Sequence, residues 1–174
     1  EGLRDFHDQE KLNDLLLTLN KIKKENKTNI SLLLKVSPDI SDNQISEIAD
    51  VATKNNISAI ILTNTTNGNR DNLVSEIKKE EGGLSGKPLQ QISTNMIKKF
   101  YKQLNGKIPI IGVGGINSGK SAYEKIIAGA SLLQLYTGLV YKGPSIVKDI
   151  KKELIKILKN DGLDNIKEAV GKSL

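Results

Sequence analysis

Along this chain, apolar residues recur at helical spacing in some segments and form short unbroken runs in others. Leu12, Leu15, Leu16 and Leu19 share one face of a helix, which ends in the Asn- and Lys-rich segment before Ile30. The apolar run from Ile30 to Val36 is short enough to be a buried strand. Ser41 opens a second helix, with Gln44 at the capping-box position and Ile45, Ile48 and Val51 on its apolar face. Ala59 to Leu62 reads as another strand and leads into Thr63-Asn64-Thr65-Thr66. After a polar insertion over 67–81 and the segment Gly82-Gly83-Leu84-Ser85-Gly86, the pattern predicts a helix over 92–104, a strand over 109–113, a helix over 118–127 and a strand over 132–136. Residues 145–158 and 166–170 close the chain as helices. Because the strands are apolar throughout rather than alternating, they should be buried on both faces of a parallel sheet. Four such units make half of a (β/α)8 TIM barrel or a small open α/β sheet, and both place ligands at the carboxyl ends of the strands.

Those strand ends hold the candidate chemistry. Lys35 interrupts an apolar run, where a cation is costly unless it meets an anion or an electron-rich group, so a functional reading outweighs a snorkelling side chain. Asn64 and its flanking threonines present donors and acceptors suited to a small polar heterocycle, although an Asx or Thr turn would use the same residues. Gly114-Gly115, between a strand and a helix, lets a ligand approach the backbone closely and reads as a phosphate cradle, with Tyr136-Thr137 at the next strand end.

Composition narrows the partners. With 26 Lys+Arg against 20 Asp+Glu the net charge is +6, but the basic residues are spread over helix faces and aromatics are only 3%, too few for base stacking, so no nucleic-acid partner is expected. Cys is absent and His7 is the single His, which leaves no disulfide framework and no His or thiolate metal site. A chain of 174 residues buries roughly 70% of its extended surface on folding and has a substantial core. No apolar run approaches the ~18 residues of a spanning helix. The start, Glu1-Gly2-Leu3-Arg4, lacks both an initiator Met and a signal-peptide layout and reads as mid-protein.

A rival motif occupies the same turn. Gly114 to Ser121 satisfies G-x-x-x-x-G-K-[ST] between a strand and a helix, the setting of a P-loop. A P-loop NTPase also needs a magnesium-orienting Asp at the end of an apolar strand, and no strand run here ends that way. Asp39, beyond Pro38, is a poor substitute, and Lys120 is read as a surface residue near a helix start.

Taken in order, several segments resemble one family along almost the whole chain. They are Gly2-Leu3-Arg4, Leu34 to Asp39, Thr63 to Thr66, Gly82 to Leu89, Pro109 to Ile116, Glu124-Lys125-Ile126 with Ala128 to Ser131, Gln134-Leu135-Tyr136 and Lys142-Gly143-Pro144. The chain resembles the C-terminal half of a class 2, quinone-dependent dihydroorotate dehydrogenase. The resemblance implies an FMN-dependent (β/α)8 barrel that oxidises dihydroorotate to orotate in pyrimidine synthesis and passes electrons to a quinone. Residues 1–174 would supply strands five to eight and the C-terminal helices of that barrel. Lys35, Thr63, Gly86, Gly115, Tyr136 and Thr137 would bind FMN, the last three around its phosphate, with Lys35 as a cation beside the flavin ring. Asn64 and Thr65 would hydrogen-bond the pyrimidine and fix its plane over the flavin.

The same resemblance places the catalytic base, a Ser in an Asn-x-Ser-Ser-Pro-Asn-Thr stretch, before Glu1, together with the first four strands and a membrane-associating segment. The chain alone should then be inactive, since a positioned base contributes about 10² to 10⁴ in rate. Peripheral association with the cytoplasmic face of a bacterial inner membrane, or with the mitochondrial inner membrane, would follow from that missing segment. Two other readings stay open: a class 1 dihydroorotate dehydrogenase or other FMN barrel enzyme, and a phosphate-binding module built on Gly114 to Ser121. Neither Arg4 nor His7 is assigned a role.

Overall fold

The computed structural model describes residues 8–68, 70–71 and 73–174. Arg4, His7 and the Gly2-Leu3-Arg4 segment lie outside the described residues. Helices and strands alternate as α1 (Gln9–Glu25), β1 (Leu33–Val36), α2 (Asp42–Lys54), β2 (Ala59–Leu62), α3 (Gln90–Leu104), β3 (Ile110–Val113), α4 (Gly119–Ile127) and β4 (Ala130–Gln134). They are followed by α5 (Thr137–Lys142), α6 (Ser145–Asn160) and α7 (Ile166–Ala169).

Local chemistry accounts for most of these boundaries. The Asp8 side chain accepts from Lys11 N at 3.0 Å and starts α1, whose Leu12 and Leu16 are buried. Ser41 and Gln44 form the anticipated capping box on α2: Gln44 N donates to Ser41 Oγ at 3.3 Å and Ser41 N to Gln44 Oε1 at 2.9 Å. The short helix α5 was not anticipated, because six residues carry too little periodicity and no side chain caps its start.

The four strands form one parallel sheet in the order β1-β2-β3-β4. In its register Lys35 lies beside Ile61, Ile61 beside Ile111, and Ile111 beside Leu132. Ile110 pairs with Ala130 but Ile111 with Leu132, so Ser131 is an extra residue that bulges β4. This moves the last strand to 130–134, two residues earlier than its apolar run suggested, and leaves Tyr136 beyond it at the start of α5.

Helices cover one face of the sheet. Val36, Ile60, Leu62 and Ile110 meet Ile48, Ala52, Ile97 and Phe100 in the main core, and a smaller cluster of Ile116, Ala122, Ile146 and Ile150 joins α4 to α6. Burial on both faces, expected from the apolar runs, does not hold for the outer strands. Leu33 is 45% and Leu132 62% exposed, and Lys35 and Gln134 are exposed on the same face. That uncovered face is the one a (β/α)8 barrel turns inward, and its side chains meet only when the sheet closes on itself. The apolar runs therefore signal a barrel interior that these four strands alone do not enclose.

Candidate functional site

A cavity of about 700 Å³ opens at the carboxyl ends of the strands, within the range of roughly 300 to 1,000 Å³ usual for small-molecule and cofactor sites. Of the eight residues singled out from sequence, Lys35, Thr63, Thr65, Gly86, Gly115, Tyr136 and Thr137 line it. Asn64 does not; it sits exposed between two residues that do, its N–H donating to Val36 O at 2.9 Å. Lys35 is exposed on the uncovered face, and its ammonium makes no hydrogen bond or ion pair among the described residues. Thr63 is buried, with its N–H on Val113 O at 3.2 Å and its hydroxyl on Asn64 O at 2.8 Å.

Every residue of Gly83-Leu84-Ser85-Gly86 has a spatial reason. A Cβ at Gly83 would fall 1.9 Å from Thr65 Oγ1, so only glycine leaves room for that side chain. Leu84 pairs with Thr66 in an antiparallel bridge, and Thr137 donates to Ser85 Oγ at 3.0 Å. Gly86, at φ +74°, packs under Thr137. The segment is thereby fastened to the end of β2 on one side and to the start of α5 on the other. Arg70 braces the preceding loop by donating to the carbonyls of Lys78, Glu80 and Gly82. Opposite, Gly115 at φ +73° lies directly on Gln90, and Lys142, also in the cavity wall, donates to Asn117 O at 2.9 Å.

The P-loop pattern is used differently. Gly119 N, which would point at a nucleotide phosphate, donates to the Glu153 carboxylate at 2.5 Å. Ser121 is the N3 partner of Ser118 in a capping box rather than a free hydroxyl, and its Oγ also accepts from Asn117 N at 2.9 Å. Lys120 is exposed, as read from sequence. Asp39 accepts from Thr66 Oγ1 and, at 2.8 Å, from Asn67 N, which joins two loops.

The dihydroorotate dehydrogenase family profile matches residues 1–158. This chain belongs to the dihydroorotate dehydrogenase family. It is 46% identical over 155 residues to the dihydroorotate dehydrogenase (quinone) of Christiangramia forsetii, covering 89% of this chain and 45% of that protein. It is 42% identical over 175 residues to the mitochondrial dihydroorotate dehydrogenase (quinone) of Arabidopsis thaliana, covering 98% of this chain and 38% of that one. The crystal structure of ligand-free dihydroorotate dehydrogenase from Eimeria tenella superposes with a TM-score of 0.92 at 36% identity, over 99% of this chain and 52% of that one. The chain thus spans about half the length of the relatives it matches, and its four-stranded sheet is half of the family's barrel. No helix among the described residues is long and apolar enough to cross a membrane.

In this member of the dihydroorotate dehydrogenase family, sequence reasoning missed Lys125. It is the only charged side chain buried among the described residues, at 0% exposure. Its ammonium donates to Gln90 O at 3.2 Å, Ser93 Oγ at 3.1 Å and Thr94 Oγ1 at 3.2 Å. The available signal was its place one helical turn from Ser121 and Ala122, on the buried face of α4. Burial lowers its pKa from 10.5 to about 8, against the opposing pull of the Glu124 carboxylate. Nearby, burial and the hydrogen bond to Asp161 raise Tyr123 to about 12.

These shifts have opposite consequences for stability. Between about pH 8 and 10.5 the unfolded chain holds a proton on Lys125 that the native state has released, so stability rises with pH. Above pH 10 the unfolded chain loses the Tyr123 proton that the native state keeps until about 12, so stability falls. Urea midpoints should climb from pH 8 towards 10 and then drop, and Lys125→Met should flatten the climb. A midpoint that declines steadily from pH 8 would contradict the Lys125 assignment.

Proposed function

We propose that residues 1–174 form the C-terminal half of the FMN-binding barrel of a quinone-dependent dihydroorotate dehydrogenase, contributing strands five to eight. The whole protein would oxidise dihydroorotate to orotate in de novo pyrimidine synthesis. The observation that carries this reading is the single cavity joining Lys35 on β1 to the Gly114-Gly115 turn and the start of α5. A cation thus stands at one end and unobstructed main chain at the other.

The residues present fit FMN. Val113, Ile116 and Leu135 give the cavity apolar wall, and Lys35 and Thr63 supply polar groups for a flavin ring. At the far end Gly114 and Gly115 put main chain into the cavity wall, with Tyr136 and Thr137 beside them. FMN, when bound, supplies the hydride acceptor for C6 of dihydroorotate. Lys35 would place positive charge beside the ring where negative charge develops. Asn64 and Thr65, at the end of β2, would hydrogen-bond the pyrimidine and hold it in one plane, a positioning effect worth several kcal/mol. The base that removes the C5 proton would come from sequence before Glu1.

The quinone acceptor is proposed from the names of the relatives, with peripheral attachment at the cytoplasmic face of a bacterial inner membrane, or at the mitochondrial inner membrane, where quinones partition. A soluble acceptor would instead fit a class 1 enzyme. The direct test is ligand binding by the protein produced from its complete reading frame. FMN should bind with quenching of its fluorescence, and Lys120→Ala should leave that binding within about twofold, because Lys120 is exposed outside the cavity. Magnesium-dependent ATP binding that disappears in Lys120→Ala, with no FMN binding, would establish the phosphate-module reading in its place.

A further inference from the structure

We propose that Lys125 is a positioning residue for the phosphate of the bound cofactor: from behind the Gly114-Gly115 turn it sets the turn's geometry through Ser93 and Gln90 and supplies the positive charge the phosphate meets. The proposal rests on the FMN reading of the cavity and extends it to a residue outside the cavity wall.

The connection is short and directional. An ammonium can only donate, so the hydroxyls of Ser93 and Thr94, which accept from Lys125, must turn their own protons outward. Ser93 Oγ then donates to Val113 O at 2.5 Å, and Thr94 Oγ1 to Gln90 O at 2.9 Å. Val113 O is the last strand carbonyl before the glycine turn and also accepts the N–H of Thr63. Gln90 is the residue on which Gly115 rests, since a Cβ there would lie 2.4 to 2.8 Å from Gln90 atoms. Lys125 therefore holds both the entry to the turn and the surface beneath it.

Bracing alone does not call for a charge. A buried ammonium is expensive, and a neutral or apolar side chain of similar volume joins two helices at lower cost. No carboxylate forms an ion pair with Lys125 among the described residues. Glu124, the nearest acid on its own helix, accepts instead from Gln90 Nε2 at 2.8 Å, and the groups α3 turns toward Lys125 are all neutral. Glu124 attracts the ammonium through space but forms no ion pair with it, so the charge still acts on what sits above the turn, in a medium where it is weakly screened. A dianionic phosphate is the ligand that uses it.

FMN and riboflavin differ only by the phosphate, so their affinities separate this role from a structural one. Both should be titrated by flavin fluorescence against the protein from its complete reading frame and against Lys125→Met and Ser93→Ala. Lys125→Met should lose about 10- to 100-fold in FMN affinity, as expected for a lost charge-assisted interaction, with riboflavin affinity changed less than about threefold. Ser93→Ala, which keeps the charge and cuts the link to Val113, should show a smaller loss confined to FMN, and it decides the matter if Lys125→Met does not fold. An unchanged ratio of FMN to riboflavin affinity in the folded variants, whatever the drop in melting temperature, would make Lys125 a brace and overturn the proposal. Failure of the unsubstituted protein to bind either flavin would instead overturn the FMN reading.

Discussion

Gly115→Ala is expected to destabilise the protein by about 2 to 4 kcal/mol and, on the proposed FMN reading, to abolish binding of that cofactor by the protein from its complete reading frame. The new methyl group would sit 2.4 Å from Gln90 Cβ, 2.6 Å from its Cα and 2.8 Å from its N, and two of those three atoms are backbone that cannot swing aside. The residue also occupies φ +73°, which a side chain resists. Relief requires the turn to lift off α3, and the turn is the surface the phosphate would contact. Gly106→Ala is the control: its φ is +71° but nothing lies within 4 Å of the added carbon, so only backbone strain of about 1 kcal/mol is incurred and flavin binding is retained. Urea denaturation and flavin titration of the two variants would check both statements. Equal effects would mean that backbone conformation, not contact with Gln90, governs the site.

On the proposed reading, and in the protein produced from its complete reading frame, Lys35→Ala is expected to lower the rate of flavin reduction by dihydroorotate about 10²- to 10³-fold, the scale of losing one preorganised electrostatic group. FMN affinity should fall about tenfold or more. Stability should stay within about 0.5 kcal/mol, because Lys35 is exposed and makes no hydrogen bond or ion pair among the described residues. Bleaching of flavin absorbance on rapid anaerobic mixing measures the rate, and thermal melting the fold. A normal reduction rate would remove Lys35 from the chemistry. A large loss of stability would show that the uncovered sheet face depends on it structurally. The contrast with Gly115 is instructive: one substitution acts by shape with a stability penalty, the other by charge with almost none.

Much of this site was legible from local sequence. The strand at Ala59 to Leu62, the capping box at Ser41 and Gln44, and the placement of Thr63 and Gly115 at strand ends all depend on spacing and turn chemistry within a few residues. The parallel order of the sheet followed from apolar strands alternating with amphipathic helices. Resemblance along the chain supplied the family, which the profile match and the relatives support.

What local pattern could not contain were pairings between distant residues. An apolar run reports that a strand is meant for burial, but not that Leu33 and Leu132 face a side left open by four strands. Ser131 looks like any strand residue until its neighbours in β3 show that it has no partner. Gly119-Lys120-Ser121 matches a phosphate loop in sequence, and only the approach of Glu153, 34 positions later, hands its amide to a carboxylate. Lys125 resembled the solvated lysines around it because charge is read residue by residue, whereas its burial depends on α3 bringing Gln90, Ser93 and Thr94 to it across 31 to 35 residues. By itself the sequence determined the four strands, the helices other than α5, their order and the residue types at the strand ends, since backbone preference and periodicity act over a few residues. Tertiary structure alone decided which amides stay open, which face is covered and where the buried charge sits, because those outcomes are set by contacts between segments that the chain separates.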